Sequence, residues 1–97
     1  MSEHEYNNLL YEISEKIDAT KLGKLVFICR YDLPKGCMKD SITTVLALFE
    51  ELEKNNRLGI DRLDTLKNIL TLLKKRPLLK KVEEFDAKRK GWYLLVS

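Results

Sequence analysis

Nucleophilic catalysis needs a thiol or hydroxyl with a base and an orienting group in reach. Candidates are few in a chain of 97 residues with 2 Cys and 1 His. His4 stands near the terminus beside Ser2, Glu3 and Glu5, and reads as a solvated surface histidine. Cys29 closes the apolar run Leu25-Val26-Phe27-Ile28 and reads as a core residue. Cys37 sits in a turn with Lys35 and Lys39 nearby, which favours mild thiol reactivity, but nothing marks it as catalytic. The spacing of Cys29 and Cys37 fits no zinc pattern, and two cysteines make no disulfide framework. Glu50, Glu51 and Glu53 cluster, and solvation explains them as well as any catalytic pairing does. Glycine-rich phosphate loops are absent. An enzyme therefore has no starting point here, and no catalytic, cofactor or metal site is expected.

Charge is more informative. The chain has 18 basic and 15 acidic residues, a net charge of +3. Residues 1–73 hold 10 basic and 12 acidic side chains, whereas residues 74–97 hold 8 basic and 3 acidic ones. A slightly acidic body thus carries a basic end. Such an end attracts acidic protein faces, phosphate or anionic lipid. Its plainer reading is a solvated, lysine-rich helix end.

The elements that carry these residues read as helices. Tyr6, Leu9, Leu10, Ile13 and Ile17 recur at helical steps and line one face from about Glu3 to Ile17. Asp18 and Thr20 are polar starters for a second helix running through Leu22 to Cys29. Four consecutive apolar residues at 25–28 cannot all point inward on a 3.6-residue period, so at least one faces outward. Asp32 to Cys37 reads as a turn region, with a short helix around Lys39. Ile42, Val45, Leu46, Phe49 and Leu52 mark a fourth helix, with Ser41 as its expected N-cap. Asn55 to Gly59 ends it, and Asp61 opens the next, whose apolar face is Leu63, Leu66, Ile69, Leu70 and Leu73. Pro77 suits the first turn of a last helix bearing Leu78, Leu79, Val82 and Phe85. Five clear helices and one weak one with short links predict an all-α, six-helix antiparallel bundle.

The bundle is expected over residues 3–87, with 88–97 as a basic and then apolar C-terminal tail. The tail, Gly91 to Ser97, has three open readings: packing back on the body, lying at an interface, or forming the edge of a longer chain. No apolar stretch is long enough to span a bilayer, and the polar start does not resemble a signal peptide. A reducing compartment follows, with the cytoplasm, or also the nucleus, as the expected location.

Two binding classes compete. Basic residues at 74–90 could touch nucleic-acid phosphates, making the chain a small basic helical domain that binds nucleic acid. Against this, the basic end lacks interleaved aromatics, and Glu83, Glu84 and Asp86 interrupt it. Leu63, Leu66, Leu70 and Leu72 match a nuclear-export pattern that amphipathic core helices also produce. The stretch from Glu83 to Lys88 has too thin an apolar face for a membrane-surface helix. A surface for protein partners remains. The second helix has more apolar residues than one buried face needs, and the charge is polarised. Such a body can pair head to tail with its own kind, and heterologous contacts of that sort build open chains.

The strings also carry a resemblance. Leu9-Leu10-Tyr11-Glu12-Ile13, Leu25-Val26-Phe27-Ile28-Cys29 and Leu46-Ala47-Leu48-Phe49-Glu50-Glu51-Leu52-Glu53 occur in the order and spacing of a death effector domain, a six-helix member of the death-fold superfamily. Leu78-Leu79-Lys80-Lys81-Val82-Glu83-Glu84-Phe85 is similar to the closing helix of the Fas-associated adaptor's effector domain. Leu10-Tyr11-Glu12-Ile13-Ser14-Glu15 resembles the second effector domain of the initiator caspases. The resemblance runs roughly from Tyr6 to Asp86.

The resemblance implies homotypic docking without catalysis. The expected partners are other death effector domain proteins (initiator caspases, adaptors and caspase-like inhibitors), with self-association as a further option. Phe27 aligns with an exposed apolar residue that inserts against a partner domain. Tyr11 aligns with a first-helix aromatic or histidine used at another contact. The family's charge triad, an acid on the second helix plus Arg-x-Asp-Leu leading into the last, is broken here. Lys21 falls at the acid, Lys75 at the arginine and Pro77 at the aspartate, and a one-residue shift gives Arg76 the arginine role. A basic surface around Lys21, Lys75 and Arg76 is expected in its place, facing acids such as Glu50, Glu51 and Glu53 on a neighbour.

Overall fold

The structure is a computed structural model that describes residues 3–33 and 42–90. Among the described residues it is all-helical. The expected short helix around Lys39, the Ser41 cap, Cys37 and the tail 91–97 lie outside them.

Helix α1 (Glu3–Lys16) has Glu3 and Glu5 in its first turn and Lys16 in its last, matching the helix dipole at both ends. Its buried face is Tyr6, Leu9, Leu10 and Ile13. The second helix is not continuous from Asp18, as its polar starters suggest. The Asp18 carboxylate accepts from the Thr20 amide at 3.0 Å and caps a 3-10 turn, Ala19–Lys21. Helix α2 (Leu22–Ile28) follows. Leu25 and Cys29, one turn apart, are fully buried. Position 27 then falls about 200° around the axis from Leu25, so Phe27 points away from the core.

Helix α3 (Val45–Lys54) starts later than its apolar pattern suggests. Ile42 is buried but precedes the helix, and the Thr44 hydroxyl caps it by accepting from the Ala47 amide at 3.0 Å. Val45, Leu48, Phe49 and Leu52 face the core. Asn56, at φ 58°, ends the helix in a left-handed turn, with amides 56 and 57 bonding back to the carbonyls of Glu53 and Leu52. Asp61 does not open the next helix. Gly59 and Arg62 exchange backbone hydrogen bonds at 3.0 Å each way, so residues 59–62 form a tight turn. Helix α4 (Asp64–Leu72) begins only after it.

Lys74 closes α4 with the same geometry as Asn56, at φ 59°, and Lys75 bonds back to Leu70. Helix α5 (Arg76–Lys90) starts immediately, with Pro77 in its first turn, where a missing N–H costs nothing. Leu78, Val82 and Phe85 seal it to the body.

Helix α1 lies between α3 and α5 and runs antiparallel to both. The Tyr6 hydroxyl donates to Glu53 at the far end of α3 (2.9 Å), and the Tyr6 and Phe85 rings stand 6.5 Å apart. The Lys81 ammonium pairs with Glu12 across α1 and α5. Helices α4 and α5 are pinned by Asp86, which is nearly buried and takes Lys67 at 2.8 Å and Arg89 at 2.9 Å. Three of the four leucines in the export-like spacing, Leu63, Leu66 and Leu70, are core, and only Leu72 is exposed.

Candidate protein-interaction surface

The exposed side of α2 carries a built cluster. Phe27 keeps 61% of its surface in solvent and Tyr31 keeps 81%. The Arg30 guanidinium lies over both rings, 4.3 Å from the Phe27 centroid and 4.8 Å from that of Tyr31. Phe27 lies in the last turn of α2 and Arg30 and Tyr31 in the turn that follows, where the Arg30 amide bonds back to the Phe27 carbonyl at 3.3 Å and keeps the three together. Stacking on a cation holds the rings in place without burying them. The cluster therefore offers apolar area plus one positive charge.

A second surface lies between α1 and α3. Its groove is lined by Asn7, Tyr11, Leu46, Phe49, Glu50 and Glu53, among others. Tyr11 is 56% exposed there. No α2 residue lines this groove, so it is separate from the Phe27 cluster. Its chemistry is apolar at the floor and acidic at the rim, complementary to the Phe27–Arg30–Tyr31 set. The Tyr6 hydroxyl beside Glu53 is harder to ionise than usual, first because it is buried and then because of the bond to that carboxylate. It stays a neutral donor that orients Glu53.

The third surface is basic. Lys21 and Arg76 are exposed and Lys75 is half-buried at the start of α5. An acid sits among them. The Asp18 carboxyl is held below its ordinary range, first by the Thr20 hydrogen bonds and further by Lys21 and Lys75 nearby. The broken triad is thus partly answered by an acid from the α1–α2 link, which the family pattern does not place there.

The model of the death effector domain matches residues 6–88 of this chain. The chain belongs to the death effector domain family. Caspase-8 of Rattus norvegicus is 33% identical over 78 residues, covering 80% of this chain and 16% of the relative. Caspase-10 of Homo sapiens is 31% identical over 84 residues, covering 87% and 15%. The human astrocytic phosphoprotein PEA-15 is 31% identical over 81 residues, covering 84% and 62%. The chain therefore spans a small part of the caspases and under two thirds of PEA-15. No solved structure matches it.

In this death effector domain, the five expected partner-binding residues divide into three places. Phe27 is on the α2 side, Tyr11 is in the α1–α3 groove, and Lys21, Lys75 and Arg76 gather near the start of α5. Sequence reasoning passed over Arg30 and Tyr31, although their spacing from Phe27 is itself the signal. It also treated Asp18 only as a helix starter. Of the acidic cluster, Glu53 is tied to Tyr6 and Glu51 to Lys54 at 3.4 Å. Cys29 is buried as expected, and its thiol is pushed up to about 12, mainly by burial. Among the described residues there is no cluster of metal-binding side chains and no helix long and apolar enough to cross a membrane.

Proposed function

We propose that this domain is a non-enzymatic assembly module of apoptotic or inflammatory caspase signalling. It docks other death effector domains, those of initiator caspases, adaptors or caspase-like inhibitors, and can add copies of itself. The observation that carries this reading is the Phe27 ring, exposed yet held in place by Arg30. The exposed part of that ring adds nothing to the monomer's core, whereas a partner that covers it gains that remaining apolar area.

The reading assigns the Phe27 cluster and the Tyr11 groove to opposite sides of one heterologous contact. Phe27 enters the groove of the next molecule and Arg30 meets Glu50 there. Lys21, Lys75 and Arg76 supply a further charged contact. A contact of this kind leaves one free surface at each end and propagates. The buried free thiol of Cys29 suits a reducing compartment, the cytoplasm or also the nucleus.

Mixing two half-blocked variants tests it. Phe27→Ala and Tyr11→Ala should each stay monomeric, because each lacks one side of the contact. Their equimolar mixture should form dimers and stop there. Oligomers of either variant on its own, or a mixture with no dimers, would refute the pairing. Salt-sensitive retention on DNA that Phe27→Ala leaves intact would favour nucleic-acid binding instead.

A further inference from the structure

The start of α5 is electrostatically odd. Helix N-termini favour acids, because their first N–H groups and the dipole present positive charge. Here the first turn holds no acid, and Lys74, Lys75 and Arg76 lead into it. Pro77 has no amide hydrogen, and the Lys75 carbonyl already accepts from Leu79. The chain pathway adds more cations. Lys16 at the end of α1 and Lys81 one turn along α5 meet Lys75 around a concavity of about 390 Å³. Pro77 and Leu78 form its apolar wall.

Acids answer part of this charge. Glu12 pairs with Lys81 and lies near Lys16, and Asp18 lies near Lys21 and Lys75. Of the charges at the hollow, Lys16, Lys75 and Lys81 stand against Glu12 and Asp18, a formal excess of one positive charge, to which Lys21 and Arg76 add outside its lining. Like charges converging on a helix N-terminus are a local conflict, of the kind found at functional sites. The low-dielectric wall of Pro77 and Leu78 concentrates the field in the hollow.

We propose that this concavity binds a small, multiply phosphorylated anion of the inositol polyphosphate class, free or as a lipid head group. Lysines suit phosphate as point charges, and Lys16 and Lys75 reach a compact polyphosphate from two sides, with Lys81 shared with Glu12. The ring face of such a ligand packs on Pro77 and Leu78. Nucleic acid fits less well, since no aromatic ring lines the hollow for a base to stack on. The hollow excludes Phe27 but shares Lys75 with the charged contact of the assembly reading, and an anion bound there goes beyond that reading.

Calorimetric titration of the full chain with inositol hexakisphosphate at physiological salt tests the site. Lys16→Gln combined with Lys75→Gln should weaken binding by about tenfold or more, having removed two charge-assisted contacts. Lys54→Gln combined with Lys88→Gln makes the same charge change at the opposite end of the bundle, and should stay within about twofold, as expected of a local site. Phe27→Ala should bind the anion like the parent, which separates this site from the Phe27 contact. Co-sedimentation with phosphatidylcholine vesicles containing phosphatidylinositol bisphosphate identifies a head-group ligand. Binding of the free anion with no co-sedimentation identifies a soluble one. Absence of binding in both formats, or equal loss in both double variants, overturns the proposal.

Discussion

Truncating Phe27 should separate assembly from folding. The ring keeps 61% of its surface in solvent. A fully covered aromatic side chain brings about 150–250 Å² to a contact, so docking covers about 90–150 Å² more. At about 25 cal/mol per Å² that is worth about 2–4 kcal/mol. Phe27→Ala should therefore weaken association roughly 30- to 700-fold. Folding loses less. The part of the ring already packed and its contact with Arg30 amount to about 1–2 kcal/mol once the better helix propensity of alanine is set against them. Phe49, 1% exposed in the core, gives the contrast: its truncation should cost about 3–5 kcal/mol of folding stability. Sedimentation velocity over a concentration series and binding to immobilised caspase-8 effector domains read the first quantity; urea unfolding reads the second. Leu72→Ala is the control, since Leu72 is 53% exposed on α4. An unchanged association in Phe27→Ala refutes the reasoning, as does an equal loss in Leu72→Ala, which would make the effect general stickiness.

Other parts of the fold give further tests. Asp86→Ala strands Lys67 and Arg89 beside a nearly buried position and should cost about 2–4 kcal/mol, read as a lower urea midpoint; the partial exposure of both cations keeps it below the fully buried case. Lys74→Gly should gain up to about 1 kcal/mol, because glycine takes the left-handed conformation freely, whereas Lys74→Val should lose stability. A midpoint that falls in Lys74→Gly contradicts this. In a Cys37→Ser background, Cys29 should react with a thiol reagent only as fast as the chain opens. Its folded thiol titrates at about 12 while the unfolded thiol ionises near its ordinary value, so the unfolded state loses the proton first. Cys29 thus removes stability as pH rises from about 9 toward 12, and Cys29→Ala should flatten that decline in pH-dependent unfolding.

The helical class was legible because periodicity is local. A residue's apolar neighbours at three and four positions report its helix face without knowledge of anything farther away. That logic placed Tyr6, Leu9, Leu10 and Ile13 inward and demanded one outward residue within 25–28. Helix starts were less legible. Ser41 and Asp61 have the right chemistry for caps, but the Gly59–Arg62 turn and the Thr44 cap set the real starts. Several polar groups compete for each start, and the choice depends on which backbone pairs form.

The candidate sites divide along the same line. Phe27, Arg30 and Tyr31 lie within five positions, and the end of α2 with the turn after it brings them together through local backbone bonds. The α1–α3 groove and the basic hollow have no such local cause. Tyr6 meets Glu53 across 47 positions, and Lys81 meets Glu12 across 69. Those pairings, and the convergence of Lys16 with Lys75, exist only because α1 packs antiparallel between α3 and α5. Burial of the shared apolar face drives that packing, and it carries the charged groups on the helix flanks along to neighbours that no local pattern encodes.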